Sequence, residues 1–134
     1  VSAAALDADV AAVEANGGSV SVDGFADLLA HLATVHPSTY VRLIADLDLI
    51  ALTDVAVMNN QTDALRFVAF IDRVYDAQVP VRGTGVPLSE VFGGDMINGG
   101  YRKKYLRCVS RPKSRTNTLD LSGKHLLFVM RERE

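Results

Sequence analysis

Tryptophan is absent from the 134 residues, and cysteine occurs once. A single thiol, Cys108, excludes an internal disulfide framework and a paired-cysteine zinc site, and it suits a reducing, cytoplasmic setting. His31, His36 and His125 follow no metal-ligand spacing, so helix-surface or capping roles are expected of them. No apolar run approaches the roughly 20 residues needed to cross a bilayer. No stretch joins a basic start, an apolar run and a cleavage site, so the chain, which begins at Val1, reads as processed or cut from something longer without a secretory signal. Also missing is any G-x-x-x-x-G-K-[ST] run. Hydrolysis of a nucleotide by a phosphate-cradling loop needs those backbone donors, that lysine and that hydroxyl, so this chain alone is excluded from it.

What is present suits a globular α/β domain. Hydrophobic residues make up 49% of the chain and charged ones 22%, enough to bury a core at this length. The formal net charge of −2 conceals a strong asymmetry. Arg102, Lys103, Lys104, Arg107, Arg111, Lys113 and Arg115 are seven of the 14 basic residues, and no acidic residue occurs from Met96 through Leu119. An anionic partner is implied there.

Along the chain, Leu6, Val10 and Val13 recur at helical spacing within residues 2–15, and Asn16-Gly17-Gly18 ends that amphipathic helix. Residues 19–22 alternate as a strand does, and Phe25, Leu28, Leu29 and Leu32 mark a helical face. Pro37-Ser38 opens another helix with Ser38 as its N-cap and Tyr40, Leu43, Ile44 and Leu47 inward. Residues 49–57 are mostly apolar without strict alternation, the pattern of a central parallel strand covered on both faces. Asn59 or Asn60 caps the next helix, and Asn60 with Asp63 has reciprocal-cap spacing. Ala64, Phe67, Val68, Ile71, Val74 and Tyr75 line that helix over residues 61–76. Val79-Pro80-Val81 begins a second strand, so a parallel, right-handed strand-helix-strand crossover is expected. Gly83-Thr84-Gly85 ends that strand in a loop, Leu88, Val91 and Phe92 pack a small helix, and residues 125–130 form a final strand.

Several groups are placed for chemistry. Gly83-Thr84-Gly85 follows a strand and offers backbone N–H groups to an anion, although an ordinary turn accounts for it as well. Asp54 ends the central strand, where α/β proteins often carry catalytic carboxylates, or it accepts hydrogen bonds from the next helix. Asp72 and Asp76 form an acidic i,i+4 pair with no third group to split their pKa values. Tyr101, Arg102, Lys103, Lys104 and Tyr105 interleave rings with cations, as segments that bind nucleic-acid backbones and stack on bases do. Equally, the rings pack inward while the cations solubilise the outer face.

Asp54-Val55-Ala56, then Arg66-Phe67-Val68-Ala69-Phe70-Ile71-Asp72-Arg73-Val74-Tyr75-Asp76, then Val79-Pro80-Val81 resemble the carboxyl-terminal part of the ZapE-like ATPases. In that P-loop family an aspartate-valine-proline element precedes R-F-I-x-L-I-D-x-L-Y-D and a hydrophobic strand. Phe25-Ala26-Asp27-Leu28 resembles its F-x-D-L element, residues 87–92 its proline-containing E-x-L-F/Y segment, and Arg107-Cys108-Val109-Ser110-Arg111 its R-T-x-S-R element. Ala56 and Pro112 depart from the pattern, and the family's Walker motifs are absent from the chain.

The resemblance implies a non-catalytic carboxyl-terminal domain that contributes to assembly or partner contacts. ATP and Mg would belong to a larger parent, with no cofactor held by this chain alone. Its implied partners are the parent's amino-terminal ATPase region, a second copy and a cell-division protein. Arg107 and Arg111, rather than Arg102 or Lys103, would then meet nucleotide or a neighbouring subunit. The expected architecture is a three-layer α/β domain with a small, mainly parallel sheet over residues 19–134, preceded by a helix within 1–18. Two rival readings are a small nucleic-acid-binding module using residues 101–115 and an independent enzyme using Asp54, Asp72 or Cys108.

Overall fold

The computed structural model describes residues 1–93 together with Lys103, and everything structural below concerns these residues. The expected final strand and all of the basic tract except Lys103, an exposed helical residue, lie outside them.

Helix α1 (Ala3–Ala15) precedes strand β1 (Val20–Gly24) and helix α2 (Phe25–Leu32). A 3-10 turn (Pro37–Thr39) leads into helix α3 (Tyr40–Leu43), followed by strand β2 (Leu49–Val55), helix α4 (Gln61–Ala77) and strand β3 (Val81–Gly85). The strands form one parallel sheet in the order β1-β2-β3, with Val20 opposite Leu49 and Ile50 opposite Val81. The parallel pair expected around α4 is therefore present.

Side-chain alternation divides the central strand between two layers. Ile50 and Leu52 join the main core with Phe25, Leu28, Leu32, Tyr40, Phe67, Phe70, Ile71 and Val74 from α2, α3 and α4. Leu49 and Ala51 point the other way and are equally buried, on the side that α1 covers with Leu6. The result is helix, sheet, helices: three layers. Because the strand order advances in one direction and α2 and α4 share a face, the two crossovers have the same hand. Right-handedness is the rule for such units.

Local chemistry explains the element ends. Ser2 accepts a hydrogen bond from Ala5 N–H at 3.1 Å, and Asn60 accepts one from Asp63 N–H at 3.0 Å, so both helices carry N-caps. The Asp63 carboxylate faces Arg66 Nη1 at 3.6 Å, so only half of the expected reciprocal cap forms between these two residues. Helix α4 stops at Gln78, whose backbone is left-handed (φ 59°) and whose N–H bonds back to the Tyr75 carbonyl at 3.0 Å.

Three expectations are corrected. Only Leu6 of α1 is buried; Val10 and Val13 are half-buried, because alanine on every side leaves this helix little apolar contrast. The helix expected from Pro37 breaks into a 3-10 turn and one α-turn, and its N-cap is His36, whose Nδ1 accepts from Ser38 N–H at 3.0 Å. Finally, Gly83-Thr84-Gly85 belongs to β3 rather than to a following loop, and the small helix expected at Leu88, Val91 and Phe92 is a 3-10 turn over residues 88–90.

Candidate functional site at the sheet's carboxyl-terminal edge

In parallel α/β sheets the carboxyl ends of the strands collect functional groups, because the loops there are free to vary. Here that edge carries Asp23, Asp54 and Thr84. The pairing of β2 with β3 is interrupted between Leu52 and Val55, and within that bulge Asp54 takes up a left-handed conformation with φ 55°. A non-glycine residue there is strained, and aspartate tolerates it better than most. The Asp54 N–H, turned out of the ladder, donates instead to the Thr84 hydroxyl oxygen at 3.0 Å. Thr84 thus supplies the partner that the bulge removes, while the Asp54 side chain is exposed.

The glycines beside Thr84 face protein. A Cβ on Gly83 would stand 2.9 Å from a Val55 methyl, and one on Gly85 would stand 2.5 Å from the Val55 carbonyl oxygen. Gly85 also has φ 96°, a region that side chains rarely enter. Farther on, Met58 N–H donates to the Val91 carbonyl and Gly93 N–H to the Met58 carbonyl, so residues 91–93 rejoin the segment after β2. The Cα faces of both glycines are thus taken up by Val55 of β2, and the Thr84 hydroxyl oxygen accepts from Asp54. Among the described residues no three His, Cys, Asp or Glu side chains converge to hold a metal ion.

The remaining sites are placed as follows. Phe67 is buried, with its ring edge-on to Phe25 at 5.5 Å. Arg66 and Asp63 are about one-third exposed, and Arg73 pairs with Asp76 at 3.0 Å on the wet face of α4. Asp72 and Tyr75 are half-buried and both engaged. Asp72 lies eleven residues beyond Gln61, roughly 17 Å along the helix at 1.5 Å per residue, whereas Asp54 sits near the end of the sheet from which α4 departs. These two carboxylates do not form a pair. Tyr101, Arg102, Lys104, Tyr105, Arg107, Cys108 and Arg111 lie outside the described residues.

Sequence reading missed two polar features. Asp9 of α1 and Arg82 of β3 meet at 3.2 Å across the sheet face, 22% and 18% exposed. Burial pushes the Asp9 carboxyl above its ordinary value, opposed by the nearby guanidinium and the amino terminus. The tyrosine hydroxyl of Tyr40 donates to the Leu32 carbonyl at 2.9 Å inside the core, and burial raises its pKa as well, against a smaller opposing pull from Arg66. No local spacing announces either contact, since each joins separate elements.

The model of the AFG1-like ATPase family matches residues 2–118. The chain belongs to the AFG1-like ATPase family. Neither a curated protein nor a solved structure gives a significant match. The family match covers all described elements of the fold, including α1, and extends through Arg107 and Arg111. Among the described residues no helix is long and apolar enough to cross a membrane.

Proposed function

We propose that this chain is a non-catalytic α/β part of an AFG1-like ATPase and contributes to assembly or partner contacts. The observation that carries the reading is a mismatch between family and motif. An ATPase-family match spans residues 2–118, yet those residues hold no phosphate-loop sequence. ATP and Mg, under this reading, are handled by a P-loop in a larger parent, with this segment's carboxyl-terminal basic tract presented to a neighbouring region or subunit. The proposed setting is cytoplasmic, with a cell-division protein as a further partner class, in keeping with the ZapE-like resemblance.

Within that parent, Arg107 and Arg111 are the basic residues assigned to nucleotide or subunit contact. A planar guanidinium gives directed, charge-assisted hydrogen bonds to phosphate or carboxylate that a solvated lysine does not replace. In the P-loop-bearing parent, Arg107→Ala and Arg111→Ala should each lower ATP turnover or assembly about tenfold or more, beside a Lys113→Ala control that changes little. Measuring turnover and sedimentation for the three variants checks this. Equal behaviour of all three removes the special role of the arginine pair.

A further inference from the structure

A groove opens beside β1, an edge strand among the described residues, on the face of the sheet that α2, α3 and α4 cover. It has a volume of about 340 Å³, and its accessible apolar lining comes from the half-buried Leu43 and Leu47, above the buried Ile44, Ile50 and Phe70. Asp23 at the end of β1, and Asp27 and His31 one turn apart on α2, stand at its polar side. Asp23 accepts a hydrogen bond from the Ser21 hydroxyl, and both carboxylates are exposed. None of the salt bridges among the described residues includes either of them.

The groove lies in a strongly acidic body. Residues 1–93 contain twelve acidic and four basic side chains, a formal charge of −8, while residues 101–115 carry seven basic side chains and no acidic one. Tyr101-Arg102-Lys103-Lys104-Tyr105-Leu106-Arg107 combines what the groove lacks: apolar rings to cover its apolar lining and cations to meet Asp23 and Asp27. Opposite potentials steer such an encounter and set its register. Aromatic side chains that fill pockets dominate the energetics of interfaces.

We propose that this groove is a self-association site that receives the 101–107 tract of a second copy of the chain. A tyrosine ring covers the half-buried Leu43 and Leu47, and the arginine and lysine groups beside it meet Asp23 and Asp27. This names the partner of the assembly role proposed above and rests on that reading.

The test uses the full chain in sedimentation equilibrium at low and high salt. Wild type should associate in a concentration-dependent way, weakened about tenfold or more by high salt, because exposed charges are screened. Asp23→Lys with Asp27→Lys should weaken association at least about tenfold, and so should Arg102→Glu with Lys104→Glu. Combining all four exchanges in one chain should restore most of it, since opposite charges again face each other. Circular dichroism checks that the variants fold, and Asp23→Asn with Asp27→Asn offers a milder change if the reversal disturbs α2. A wild-type chain that stays monomeric at every concentration overturns the proposal, as does unaltered association of the Asp23 and Asp27 variants or no recovery in the fourfold exchange. Such a failure leaves the dependence of ATP turnover on a parent P-loop untouched, because that is read by a separate assay.

Discussion

Replacing Phe67 by alanine should lower the unfolding free energy by about 3 to 5 kcal/mol, the range for removing a fully buried aromatic ring. Phe67 is 1% exposed and sits where α4, α2 and the sheet converge, with Phe25 edge-on and Ala64, Val68 and Ile71 along the same stripe. Its neighbour makes a useful contrast. Arg66 precedes it on the same helix but pairs with Asp63 at the surface, so Arg66→Ala should cost less than about 1 kcal/mol. Urea unfolding of both variants, read at unchanged denaturant slope, separates them. A loss below 1 kcal/mol for Phe67→Ala would remove that ring from the core described here.

Gly85→Ala should cost about 2 to 4 kcal/mol, combining a left-handed backbone with a methyl group driven into fixed backbone atoms. The added Cβ would lie 2.5 Å from the Val55 carbonyl oxygen and 2.8 Å from its nitrogen. Neither atom can swing away as a side chain would, because Val55 ends β2 and accepts a bond from Val86 N–H at 2.8 Å. Gly17 isolates the backbone part of this effect. Its φ of 83° is similar, but nothing lies within 4 Å of the added carbon, so Gly17→Ala should cost only about 1 to 2 kcal/mol. Thermal or urea unfolding of the two variants gives the difference. Equal losses would mean that the β2–β3 edge yields, and that the tight glycine packing there is not structural.

The parts legible in sequence were those with a local cause. A mostly apolar run at residues 49–57 signals a strand covered on both faces, and the 3.6-residue stripe from Ala64 to Val74 signals the helix that crosses over it. Asn60 as N-cap follows from the same local logic. Features set by distant contacts were not legible. Gly83-Thr84-Gly85 looks like a turn because its residue types favour turns, yet it stays in the sheet because Val55 leaves no room for side chains. The left-handed Asp54 and its bond to Thr84, thirty residues away, arise from a bulge that no spacing encodes. The bond of the Tyr40 hydroxyl to the Leu32 carbonyl within the core likewise joins separate elements. The candidate groove escaped notice for the same reason, since Asp23, Asp27 and Phe70 meet only through the fold.

The most direct test of the account is magnesium-dependent ATP turnover, measured for the purified chain and for the P-loop-bearing parent with and without this segment. The account predicts no turnover by the chain alone, turnover by the complete parent, and a loss of activity or of assembly when the segment is removed. Phosphate release by the chain alone that scales with its concentration and survives removal of contaminating ATPases would contradict it.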